Sequence, residues 1–134
     1  MVLKQFEVGQ DCKRWLLCLK QILAEELKEK YGSEGLTRVE YGFILNQAVL
    51  DAGDLTKIDF KELLDKKLVI PSSFEIDEKK VSGGTIKFKL KDGVEEKIDQ
   101  ATLLISEALG NVRTYRSFGV KMIIKNYLLK KLGQ

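Results

Sequence analysis

The stretch Thr85-Ile86-Lys87-Phe88-Lys89-Leu90 alternates polar and apolar side chains. Because neighbouring side chains of a β-strand point to opposite faces, this alternation predicts a strand with one apolar and one basic face. Asp92-Gly93 follows as a turn signal. The pattern therefore predicts a short strand that rests on a core and offers two lysines to solvent.

Two helices are predicted after this strand. Apolar residues recur at steps of three and four from Val94 and predict an amphipathic helix that ends near Gly110. Ser117 is the predicted N-cap of the last helix, with Lys121 and Lys125 one turn apart on its solvent side. The final third of the chain thus predicts the order strand, helix, helix.

The same order of elements is predicted at the other end of the chain. Residues 2–8 form a strand pattern, and Asp11 and Gly32 are predicted to begin and end a long helix. Thr37 and Glu40 have the spacing of a capping box that opens the next helix. The repeated order raises the hypothesis of an internal duplication.

The middle of the chain leaves the pairing of the 85–90 strand open. Thr56 and Asp59 predict a short helix. Residues 74–81 alternate weakly, and Ser82-Gly83-Gly84 is a turn signal, which together favour a hairpin with 85–90. This hairpin competes with a two-stranded ribbon, although three strands would satisfy both.

Length and composition predict a folded chain that is mainly α with a small antiparallel β element (α+β). The chain has 134 residues, of which 44% are hydrophobic and 32% charged, and it contains one proline. We expect an N-terminal helical unit over 1–53, a connector over 54–84 and a strand-helix-helix unit over 85–134.

Several classes of function are disfavoured by what the sequence lacks. It contains no histidine, and Cys12 and Cys18 have neither zinc-site nor redox-motif spacing. Adjacent carboxylates such as Glu95 and Glu96 diverge by about 100 degrees on a helix and cannot share a substrate. We therefore expect no enzyme activity, no metal site and no cofactor. The absence of a long apolar run and of a secretory pattern predicts a cytoplasmic protein without a membrane partner.

Positive charge is concentrated at the C-terminal end. From residue 84 onward there are ten Lys or Arg against five Asp or Glu, whereas acids slightly exceed bases in 1–53 and in 54–83. A basic strand face and a basic helix within one segment are typical of a nucleic-acid-binding surface, although a solvated face is the alternative.

A basic strand followed by two helices resembles the ribbon-helix-helix (MetJ/Arc-like) family of DNA-binding proteins. That resemblance implies an antiparallel ribbon in the major groove and a phosphate bound at the N-terminus of each second helix. It also implies either a tandem copy, which makes a pseudo-dimeric monomer, or a single C-terminal copy that forms a homodimer.

The resemblance implies specific DNA contacts in both copies. The residues implied to face bases are Leu3, Gln5, Glu7, Thr85, Lys87 and Lys89. Those implied to anchor phosphate are Thr37, Arg38, Ser117 and Phe118. Arg113, Arg116 and Lys121 complete the expected DNA-binding set. Glu7 departs from the pattern, because a carboxylate in the groove is tolerated only where it accepts from a cytosine amino group.

Two functional hypotheses follow. The first is a transcriptional regulator that binds duplex DNA through the basic ribbon. The second is a protein-interaction or assembly subunit of a prokaryotic or viral nucleoprotein complex, which docks a partner on the apolar helix around 41–49. Tyr115, between Arg113 and Arg116, could stack on an unpaired base of RNA or single-stranded DNA, or pack on its own helices.

Overall fold

The computed structural model describes residues 1–32 and 38–134, and the fold in these ranges is mainly helical with one small sheet. The strands are β1 (Val2–Val8) and β2 (Gly84–Leu90). The helices are α1 (Gln10–Tyr31), α2 (Tyr41–Ala52), α3 (Phe60–Asp65), α4 (Val94–Ala108) and α5 (Arg116–Leu132). This confirms the predicted fold class, and the order strand, helix, helix occurs at both ends.

The two strands form an antiparallel ribbon that joins the start of the N-terminal strand-helix-helix segment to the start of the C-terminal one. Gln5 lies opposite Lys87, Phe6 opposite Ile86, and Lys4 opposite Phe88. The pattern of buried and exposed positions is the same along both strands. Each strand therefore turns one face to the core and the other to solvent.

The inward face of the ribbon packs on the helices. Phe6 and Phe88 are both buried, with ring centroids 5.8 Å apart. β2 packs mainly on α2, while β1 contacts α5, and α2 and α5 also pack on each other. Lys4 interrupts this apolar face, and its ammonium lies 3.1 Å from a carboxylate oxygen of Glu95. The ribbon is thus fixed to a helical layer by its inward side chains.

The predicted hairpin is wrong. Residues 74–81 contain a short 3-10 helix, Glu78–Lys80, whose first turn is capped by Asp77 accepting from the Lys79 amide. In the part of the chain that is described, β2 pairs with β1 alone. The local capping interaction at Asp77 favours a helical turn over the weak alternation that predicted a strand.

Two predicted N-caps are also wrong. The N-cap of α1 is Gly9 and that of α5 is Tyr115, and neither helix start has a side-chain capping bond. Asp11 and Ser117 lie instead within the first turns. Thr37 lies outside the described residues, and α2 begins after Glu40. A short central helix occurs as predicted, but its N-cap is Asp59, which accepts from the Glu62 amide. Thr56 lies instead in a separate 3-10 helix, Leu55–Lys57.

Lys125 is not on the solvent side of α5 as predicted. Its side chain is 5% exposed, and its ammonium donates to the Leu64 carbonyl at 3.1 Å. Burial, and next the positive charge of Lys121, lower the pKa of Lys125. α3 packs on this part of α5, and the helical period of α5 alone does not reveal that contact.

Candidate nucleic-acid interface

The outward face of the ribbon presents six exposed side chains in one register. We call this set the ribbon face; it consists of Leu3, Gln5, Glu7, Thr85, Lys87 and Lys89. Leu3 lies opposite Lys89, Gln5 opposite Lys87, and Glu7 opposite Thr85. The alternation that buries Phe88 and Leu90 also places the two lysines outward.

Lys87 and Lys89 are exposed cations. Among the described residues neither side chain comes within 4.0 Å of a carboxylate oxygen. Lys91 continues the same alternation and is also exposed. Three ammonium groups two residues apart therefore lie along one edge of the ribbon.

A groove runs between these lysines and the start of α2. It measures about 390 Å³ and lies between Leu3, the three lysines and residues 40–43. We call it the α2 groove. The first amides of α2 point along the helix axis toward its N-terminus, and the side chain of the N-cap residue Glu40 makes no hydrogen bond to them. The helix end and the lysines make this groove positive, and Glu40 at its rim partly offsets that charge.

Gly42 allows α2 to approach β2 closely. A Cβ atom at position 42 would lie 2.6 Å from both the backbone nitrogen and the backbone oxygen of Lys89. One turn later, Asn46 donates to the Lys89 carbonyl and accepts from the Lys91 amide, at 3.2 and 3.1 Å. The backbone that carries the two lysines is therefore fixed to α2.

The start of α5 is electrostatically different. Arg116 donates from two nitrogens to the carboxylate of Asp99, and Glu95 lies 4.0 Å from the same guanidinium. The bond to Asp99 raises the pKa of Arg116. Ser117 lies in the first turn and is half-buried. Arg116 is thus already paired with acids that the sequence places 17 and 21 positions away.

The remaining predicted residues are not gathered at the ribbon face. Tyr115 is 63% exposed, and the Arg113 guanidinium lies 5.3 Å from its ring centroid. The Lys121 ammonium lies 5.6 Å from the ring centroid of Trp15 on α1. Arg38 is exposed and lies 3.6 Å from Glu40. These cations are each associated with an aromatic ring or an acid of the chain itself.

Sequence reasoning missed several residues of this site. Lys91 could have been found, because it extends the alternation of Lys87 and Lys89 beyond the predicted strand. No local sequence pattern around Gly42 or Asn46 indicates that these residues support the ribbon. Their roles depend on the approach of α2 to β2, which joins segments more than forty residues apart.

The described ranges give no support for a metal site or for a membrane-spanning helix. Residues 1–32 and 38–134 contain no cluster of His, Cys, Asp and Glu side chains that could hold a metal ion. None of the helices in these ranges has the length and hydropathy required to cross a bilayer. No family model, curated protein or solved structure significantly matches the chain.

Proposed function

We propose that the chain is a duplex-DNA-binding protein that regulates transcription, with the ribbon face in the major groove. The observation that carries the proposal is the pair of exposed lysines on a strand whose other face is anchored in the core. Lysine ammonium groups donate to guanine O6 and N7 in the major groove and to phosphates. A ribbon fixed by its inward face can present such groups with little loss of freedom on binding.

The dimensions of the ribbon suit a major groove. Two paired strands lie about 4.8 Å apart, whereas the groove is about 12 Å wide. Outward side chains on one strand repeat about every 6.7 Å, which corresponds to about two base-pair steps of 3.4 Å. The three outward residues of each strand therefore span about four base-pair steps.

The position of the α2 groove, beside the ribbon, also supports the proposal. A ribbon lying in the major groove is bordered by the two phosphate backbones. The N-terminus of α2 and Lys91 would meet one of them, because a helix N-terminus and an ammonium both attract phosphate. The lysines would thus serve both base contact and backbone positioning.

Much of the surface on which the partner-docking alternative depends is buried in the structure. Ile44, Leu45 and Ala48 of α2 are fully buried in the chain's own core, and Val49 is 8% exposed. Leu50 is the large apolar side chain of this helix that stays exposed, at 73%. An exposed Leu50 by itself is ordinary for a protein surface and does not indicate a docking patch. Tyr41 and Phe43 are half-buried and line the α2 groove, so the apolar surface left at the start of α2 adjoins the lysines of the proposed DNA-binding surface.

The test is a binding assay with mixed-sequence duplex, single-stranded DNA and RNA at two salt concentrations. The double variant Lys87→Ala/Lys89→Ala should bind duplex at least ten-fold more weakly at the lower salt concentration. Its salt slope should also become shallower, because the variant neutralises less of the negative charge of the DNA. The double variant Lys66→Ala/Lys67→Ala removes the same charge from exposed positions after α3 and is the matched control.

The outcomes separate the proposal from its competitors. Equal losses in the two double variants would indicate a nonspecific effect of net charge and would refute a role for the ribbon face. Preference for RNA or single strands, abolished by Tyr115→Ala, would favour base stacking on the exposed tyrosine beside Arg113. An unfolded variant would be recognised by circular dichroism.

A further inference from the structure

The register gives the ribbon a local two-fold axis. Phe6 and Phe88 occupy equivalent places on the inward faces. When Val2 is aligned with Gly84, so that Phe6 is aligned with Phe88, the two strands have the same pattern of buried and exposed residues. With this offset Gln5 is equivalent to Lys87, which is also its partner in the sheet. A rotation of 180 degrees about an axis between these two residues therefore exchanges the strands.

The side chains on the ribbon face break this symmetry. The axis exchanges Leu3 with Thr85 and Glu7 with Lys89. One end of the ribbon face, the lysine end, carries Leu3 opposite Lys89. The other, the glutamate end, carries Glu7 opposite Thr85. The two ends have the same backbone register but opposite charge.

The residues around the lysine end increase the difference in charge between the two ends of the ribbon face. The α2 groove adjoins this end, and Lys91 lies in it. By the same offset the equivalent of Lys91 is Gly9, which has no side chain. Positive charge is thus concentrated at one end, on the strand and beside it.

We propose that the chain recognises a non-palindromic duplex in one fixed orientation. The base contacted at the lysine end is guanine, and the base related to it by the two-fold axis, at the glutamate end, is cytosine instead of guanine. This inference rests on the proposed duplex-binding function. A lysine donates to the guanine O6 and N7 acceptors, whereas a glutamate accepts from the cytosine N4 amino group. Because a two-fold site mirrors a two-fold protein, unequal ends select unequal half-sites.

The experiment selects bound sequences from a random-sequence duplex pool with the wild-type chain and with a symmetrised variant. The variant is Leu3→Thr/Gln5→Lys/Glu7→Lys, which gives β1 the same outward residues as β2. All three replaced side chains are exposed, so the inward packing of the ribbon is unchanged. Circular dichroism and urea unfolding verify that the variant folds.

The wild-type chain should enrich a motif without two-fold symmetry, and the symmetrised variant should enrich a palindrome. On the wild-type motif, Glu7→Gln should weaken discrimination at one base pair by about ten-fold and leave the other end unchanged. A palindromic wild-type motif would overturn the inference while duplex binding stands. Duplex binding without any enriched motif would overturn it as well, and no duplex binding would overturn the proposed function together with the inference.

Discussion

Gly42→Ala should destabilise the fold, although alanine is the better helix former. A Cβ at this position would lie 2.6 Å from two backbone atoms of Lys89 and 3.2 Å from its carbonyl carbon. Ordinary contacts need several tenths of an ångström more, and no side-chain rotation relieves a clash with backbone. The start of α2 must therefore move away from β2, which also strains the two Asn46 hydrogen bonds.

The magnitude follows from two opposing terms. Helix propensity favours alanine over glycine by up to about 1 kcal/mol. Overpacking of a well-packed contact costs about 1–3 kcal/mol, and weakened hydrogen bonds at Asn46 cost about 1 kcal/mol more. We expect Gly42→Ala to lower the free energy of unfolding by about 1–3 kcal/mol.

The assay is urea unfolding followed by far-UV circular dichroism and by Trp15 fluorescence. Gly119→Ala provides an internal comparison, because the added Cβ would meet the Thr102 hydroxyl oxygen as well as the Ile98 carbonyl at 3.2 Å. Thr102→Ala should therefore restore part of the stability that Gly119→Ala loses, whereas the Gly42 contact offers no side chain to remove. A Gly42→Ala chain as stable as the wild type would refute the close approach of α2 to β2.

Two further predictions concern buried groups. Burial raises the pKa of Cys12 to about 12 and that of Cys18 to about 11. Neither thiol should therefore react with a thiol reagent at pH 8 until the chain is unfolded. Rapid labelling of the folded chain would contradict this prediction. The folded-state pKa of Lys125 lies below its ordinary value of 10.5, because burial and then Lys121 disfavour the charged form. Between these two pKa values the unfolded chain binds more protons, so wild-type stability should rise with pH in that window relative to Lys125→Met. Urea unfolding at pH 7 and pH 10 measures the free energy of unfolding of both chains. The same change with pH in the wild type and in Lys125→Met would show that the prediction is wrong.

The parts of the fold that depend on local pattern were predictable. The alternation at Ile86, Phe88 and Leu90 identified a strand and its buried face, and periodic apolar residues identified the long helices. The choice between a hairpin and a ribbon was not decidable from pattern. Pairing of β1 with β2 depends on how both strands pack on the helices, over a separation of about eighty residues.

The candidate site was predictable only in its ribbon. Alternation was sufficient to place Lys87 and Lys89 outward. It could not show that Arg116 is bonded to Asp99, because that bond requires α4 and α5 to pack on each other. Nor could it show the asymmetry of the ribbon face, since that property belongs to the register between two distant strands.

The most direct test of the account asks whether Lys87 and Lys89 read the major groove. Duplexes enriched from the random pool would be prepared with guanine or with 7-deazaguanine, which lacks the N7 acceptor at the groove floor. The wild-type chain should bind the modified duplex several-fold more weakly, and Lys87→Ala/Lys89→Ala should bind both duplexes equally. Equal binding of both duplexes by the wild-type chain, or the same loss in the double variant, would contradict the account.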